Sequence, residues 1–133
     1  SFCAKLSYRV REPIMPTVDE VIAFRKQRLE ESMSLVESKG SDYNRRQQEN
    51  GDTLFNLRVS ELMGIVPTAE RGILVRMSDK FMRLISLMEP SATPKHESIR
   101  DTVKDLHNYS DYALMLWEER QRDNKSRQNP KCD

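Results

Sequence analysis

Apolar residues recur along this chain at three- and four-residue intervals, and the pattern breaks only where glycine or proline intervenes. Val18, Ile22, Leu29, Met33 and Val36 mark one face of a first helix, over about residues 17–38. Its start is written locally: Thr17 with Glu20 three residues later forms a capping box, and Asp19 places negative charge at the positive end of the helix dipole. Gly40 marks its end. The polar stretch SKGSDYNRRQQENGD (38–52) reads as a connection closed by the turn signal Asn50-Gly51-Asp52. Leu54, Phe55, Val59, Leu62 and Met63 form a shorter helical piece stopped by Gly64. Pro67-Thr68 opens a third helix over about 69–88, with Ile73, Met77, Phe81, Leu84 and Met88 on one face. Pro90 and Pro94 bracket a loop. The last helix, about 97–123, puts Ile99, Val103, Leu106, Ala113 and Trp117 on its buried side. No period-two β-branched run competes, and no internal repeat is present. The pattern predicts an all-α, four-helix bundle-like fold.

Residues 1–16 carry no sustained period, and Met15-Pro16 has the form of a natural start, which makes the upstream residues an N-terminal extension or an arm that packs on a partner subunit. Residues 17–123 form a single helical domain, and 124–133 a polar tail. Charged residues make up 32% of the 133 and hydrophobic ones 37%, which suits a thin bundle that completes its core by association as a homo-oligomer. The formal net charge is +1, with 22 basic and 21 acidic residues intermixed, so no field steers the chain to double-stranded nucleic acid or an anionic membrane. No apolar run approaches a membrane span and no signal peptide is visible. Cys3 and Cys132 lie near opposite ends without a CxxC pair, and two isolated thiols in a reducing, cytoplasmic compartment fit better than the alternative of a disulfide between the termini.

The candidate chemistry lies on the last two helices. Arg76, Asp79, Lys80 and Arg83 fall at i, i+3, i+4 and i+7, on one stripe beside the apolar face of the third helix. Asp101, Asp105, Asn108 and Tyr112 form a comparable stripe on the last helix, between the core and a solvent face of Arg100, Lys104, His107, Asp111 and Glu118. Two carboxylates one turn apart repel unless a cation lies between them, and such pairs are how helical bundles hold Mg²⁺. Antiparallel packing would set Asp101 and Asp105 against Arg76, Lys80 and Arg83. Two readings are open at this point. One is a salt-bridge network that fixes helix register; the other is a site where acids hold a metal and bases hold phosphate oxygens. Lys39, Asp42 and Tyr43 offer ribose, base or stacking contacts from the connection, or a plain turn beside a surface tyrosine. His96 and His107 are not spaced to share a metal, and no nucleophile triad or Gly-rich phosphate loop can be assembled.

Taken together, KGSDY (39–43), RMSDKFMRL (76–84) and ESIRDTVKDLHNY (97–109) resemble the phage and bacterial nucleotide-modification-associated domain, and more broadly the MazG-like all-α nucleoside triphosphate pyrophosphatases. The likeness covers about residues 20–118. It implies a helical bundle in the cytoplasm of a bacterial or phage-infected cell that binds a nucleotide with Mg²⁺ and cleaves it between the α and β phosphates. Carried over, it implies Asp79, Asp101 and Asp105 as catalytic acids and Glu97, Asp101 and Asp105 as metal ligands. Arg76, Lys80 and Arg83 would serve the phosphates, with Lys39, Asp42, Tyr43, Asn108 and Tyr109 completing the nucleotide site. The dense Glu-Glu-x-x-Glu run of MazG-like enzymes is reduced here to Glu30-Glu31, with Ser34 in the third place and Glu37 a turn later. That acidic count favours a non-catalytic binding, sequestering or scaffold module, whereas the family likeness favours the enzyme.

Overall fold

The structure, a computed structural model, describes residues 15–44, 52, 54–91, 93 and 96–130, with residues 40–44 and 97 described in backbone only. It is all-helical: α1 (Val18–Asn44), α2 (Phe55–Leu62), α3 (Ala69–Leu87) and α4 (His96–Gln128), with no strand among the described residues. The capping box forms at α1, where the Thr17 amide donates to Glu20 Oε2 at 2.6 Å and the Glu20 amide to Thr17 Oγ1 at 3.2 Å. Thr68, extended at φ −142° and ψ 150°, caps α3 by accepting from the Arg71 amide. Gly64, at φ +72°, turns the chain after α2, a backbone conformation that favours glycine. Gly72 has a different role: a Cβ there would sit 2.6 Å from Ser60 Oγ, so its absence lets α2 lie close on α3.

The longest packing seam is between α3 and α4, which run antiparallel: Glu70 meets Arg120 near one end and Lys80 meets Asp105 further along. Ala69, Ile73 and Leu116 form the buried centre, with Leu54, Leu57, Met77, Tyr109, Tyr112 and Ala113 packed around it. α2 rests on α3, and α1 touches α4 over a short stretch around the fully buried Ser32. The backbones of α1 and α3 do not meet. A cleft opens between them, and α4 links the two sides.

Several sequence expectations shift. α1 continues through Gly40 to Asn44, so KGSDY belongs to a helix and not to a connection. One interior glycine costs about 1 kcal/mol against alanine, which a long helix absorbs. α4 extends to Gln128 instead of ending near Asp123. Its inner face runs through Thr102, Leu106, Ala113, Leu116 and Arg120, one position round from the expected line, and Trp117 is half exposed. The offset arises because small and polar side chains occupy the inner face, which apolar periodicity does not register. Phe81 on α3 and Met88 just after its end likewise face outward, while Lys80 is turned partly inward. The presumed solvent face of α4 is partly covered as well, with Arg100 donating to Glu31 of α1 at 2.5 Å.

Candidate functional site

Four helices contribute to one cleft of about 220 Å³. α1 supplies Leu35, Val36 and Lys39, α2 supplies Asn56 and Leu57 with Leu54 just before it, α3 supplies Arg76, and α4 supplies Asp105, Asn108, Tyr109 and Tyr112. The α4 residues line one cleft because positions three and four apart share a helix face. The interior is mainly apolar and aromatic, while charge collects where Lys39, Arg76 and Asp105 lie. This is the mixed lining that small-molecule sites require: apolar walls for affinity and a few polar groups for orientation.

Asp105 ties the charged part together. Lys80 Nζ lies 2.7 Å from its Oδ2 and Lys39 Nζ 3.9 Å from its Oδ1. One carboxylate between two ammonium groups, with Arg76 beside it, leaves the region net positive. Arg76 has no carboxylate partner among the described residues, so its guanidinium is available for an incoming anion.

The structure thus brings together Lys39, Arg76, Lys80, Asp105, Asn108 and Tyr109 from the sequence candidates. It does not gather Asp79, Arg83 or Asp101. Arg83 and Asp79 are exposed on α3 and do not line the cleft. Asp101 is largely exposed and pairs at 2.9 Å with Lys104 on its own helix. The side chains of Asp42, Tyr43 and Glu97 lie outside the described residues. The expected Mg²⁺ site was Glu97, Asp101 and Asp105, and among the described residues no three His, Cys, Asp or Glu side chains are placed to hold a metal. Asp105 sits under two lysines, which repel a cation and compete for its carboxylate, so this residue as arranged does not fit Mg²⁺ coordination.

Sequence reasoning missed Asn56 and Leu57, because nothing local marks a short apolar-periodic helix as a cleft wall. It also missed a clasp at the far end of the bundle. Arg120 of α4 donates to both carboxylate oxygens of Glu61 at 2.8 and 3.0 Å and to Glu70 at 3.0 and 3.1 Å. Glu61 also accepts from the Ala69 amide at the start of α3. Burial pushes the Glu70 carboxyl up, but the Arg120 guanidinium and a backbone amide outweigh that and hold it below its ordinary value. Donating hydrogen bonds to the carboxylates of Glu70 and Glu61 holds the Arg120 guanidinium above its own ordinary value. A second pair of contacts joins Arg58 to Asp52 at 2.6 Å and to Glu119 at 2.8 Å. These long side chains bridge α2 to α4, whose backbones do not pack directly, and so fix the α2 wall of the cleft.

Fold and site together define an all-α protein with a cleft lined by apolar, tyrosine and charged side chains. The chain matches no protein-family model, no curated protein and no solved structure. No helix is long and apolar enough to cross a membrane.

Proposed function

We propose that this is a nucleotide-binding helical protein whose cleft takes a nucleotide or similar phosphorylated small molecule. The observation that carries the reading is the juxtaposition of an uncompensated guanidinium, Arg76, and Lys39 with a pocket containing Tyr109, Tyr112 and the buried Asn108. Arginine and lysine suit phosphate oxygens, and tyrosines suit a flat heterocycle. At about 220 Å³ the cleft is below the usual range for drug-sized ligands, roughly 300 Å³ upward, so it houses a base and sugar and leaves phosphates at the mouth. The resemblance of the three sequence blocks to nucleotide-modification-associated and MazG-like proteins supports the same ligand class. It also supports a role in phage or bacterial nucleotide metabolism or DNA base modification in the cytoplasm, while the polar composition and the exposed apolar residues of α1 and α3 support a homo-oligomer.

Binding is favoured over Mg²⁺-dependent pyrophosphohydrolysis. The acids the hydrolytic reading needs are dispersed, with Asp101 on Lys104 and Asp105 between Lys39 and Lys80. A thermal-shift screen of nucleoside mono-, di- and triphosphates, with and without Mg²⁺, tests both. A ligand at 100 times its Kd stabilises by about 2.7 kcal/mol. Metal-independent stabilisation by a nucleotide is expected. No stabilisation by any nucleotide would overturn the proposal, and pyrophosphate release that requires Mg²⁺ would restore the enzyme.

A further inference from the structure

Asn108 is nine-tenths buried, and yet it lines the cleft. Its Nδ2 donates to the main-chain carbonyl of Ser32 on α1, at a long 3.4 Å, and Ser32 is itself fully buried where the two helices touch. That contact orients the carboxamide: turning it over would set Oδ1 against a carbonyl oxygen, two acceptors face to face. Oδ1 accepts no hydrogen bond among the described residues. Because Asn108 lines a ligand-sized cleft and its carboxamide oxygen has no protein donor among the described residues, that oxygen is open to an N–H from a ligand. Lys39 and Arg76 cannot be the intended donors in a filled site if they hold the phosphate. The remaining chemistry that fits beside Tyr109 and Tyr112 is a planar heterocycle with an N–H on its edge.

We infer that Asn108 reads the base, its Oδ1 accepting from a ring or exocyclic N–H of a nucleobase seated in the cleft. This rests on the nucleotide-binding reading above and adds the atom and the ligand feature that decide specificity. Inorganic phosphate or a phosphorylated sugar alone would reach Lys39 and Arg76 but leave Asn108 unsatisfied. A base alkylated so that its edge donates no hydrogen would be rejected for the same reason.

Calorimetric titration of the full chain with the 5′-monophosphates of adenosine, guanosine, cytidine and uridine, and with ribose 5-phosphate, tests this. At least one nucleotide should bind about tenfold or more tighter than ribose 5-phosphate. Asn108→Leu should lower that nucleotide's affinity about tenfold to a hundredfold and leave ribose 5-phosphate unchanged. A second arm needs no variant: the preferred nucleotide is compared with its analogue methylated to remove every N–H from the base edge. Wild type should lose tenfold or more on the analogue, and Asn108→Leu, where it folds, should bind the two alike. Equal binding of ribose 5-phosphate and all four nucleotides, or of parent and methylated base by wild type, would overturn the role of Asn108 while leaving phosphate binding intact. Binding of none of these probes would overturn the nucleotide reading itself, and the inference with it.

Discussion

Replacing Arg120 by methionine should loosen the bundle at the end away from the Asp105 lysines, by an amount the geometry bounds. The guanidinium spans Glu61 and Glu70 with four contacts of 2.8–3.1 Å, and its removal leaves two carboxylates facing each other without a cation. The side chains are neither buried nor free, at 34% exposure for Arg120, 31% for Glu61 and 13% for Glu70. An exposed pair contributes 0–1 kcal/mol and breaking a buried one costs 3–5, so this partly screened clasp should cost about 2 kcal/mol. For a domain of this size that lowers Tm by about 8 °C. The pH dependence has a definite sign. The folded Glu70 carboxyl lies below its ordinary 4.5, so its contribution is complete above pH 4.5 and is lost as pH falls through the folded value. The gap between wild type and Arg120→Met should therefore be full at neutral pH and narrow in acid. Thermal melts followed by circular dichroism across that range measure it. A variant that melts with wild type at neutral pH, or a gap that does not change in acid, would refute the reasoning.

Two further outcomes follow from the same structure. Val18, Ile22, Leu29 and Met33 of α1 and Leu74, Phe81 and Ile85 of α3 are exposed, so sedimentation at micromolar concentration should show a homodimer or higher oligomer that Ile22→Glu with Met33→Glu dissociates; a wild-type monomer would contradict this. Asp105→Asn removes the partly exposed Lys80 pair and should cost about 1 kcal/mol without preventing nucleotide binding, whereas abolition of a Mg²⁺-dependent hydrolysis that wild type performs would show Asp105 to be a metal ligand after all.

Features set by neighbours in sequence were legible. The Thr17–Glu20 box needs only four consecutive residues, and Pro67-Thr68 places the start of α3. The meeting of Asp105 with Lys80 was also foreseeable, since both stripes border apolar faces and a short Pro-bracketed loop returns one helix along the other. What was hidden depends on which face wins in three dimensions. Thr102 and Ser32 are buried although neither is apolar, and each satisfies its hydroxyl on a carbonyl one turn back in its own helix, Thr102 on Ser98 and Ser32 on Arg28. A periodicity of apolar residues therefore places Trp117 inside and overlooks Arg120. Gly40 misled for a simpler reason: a glycine stops a helix only where the chain turns, as at Gly64, and otherwise is a small local cost.

The central claim is that the cleft between α1 and α3 holds a nucleotide by its own cations, without metal. Titration calorimetry in the presence of a chelator, on wild type and on Arg76→Ala, addresses it most directly, because Arg76 is exposed, lines the cleft and bears no carboxylate partner among the described residues. The account predicts saturable one-site binding of a nucleoside phosphate to wild type. Arg76→Ala should weaken it about tenfold or more, as expected for a lost charge-assisted contact of 1.5–3 kcal/mol, with Tm unchanged. Absence of binding under chelation, or an affinity that Arg76→Ala does not alter, would contradict it.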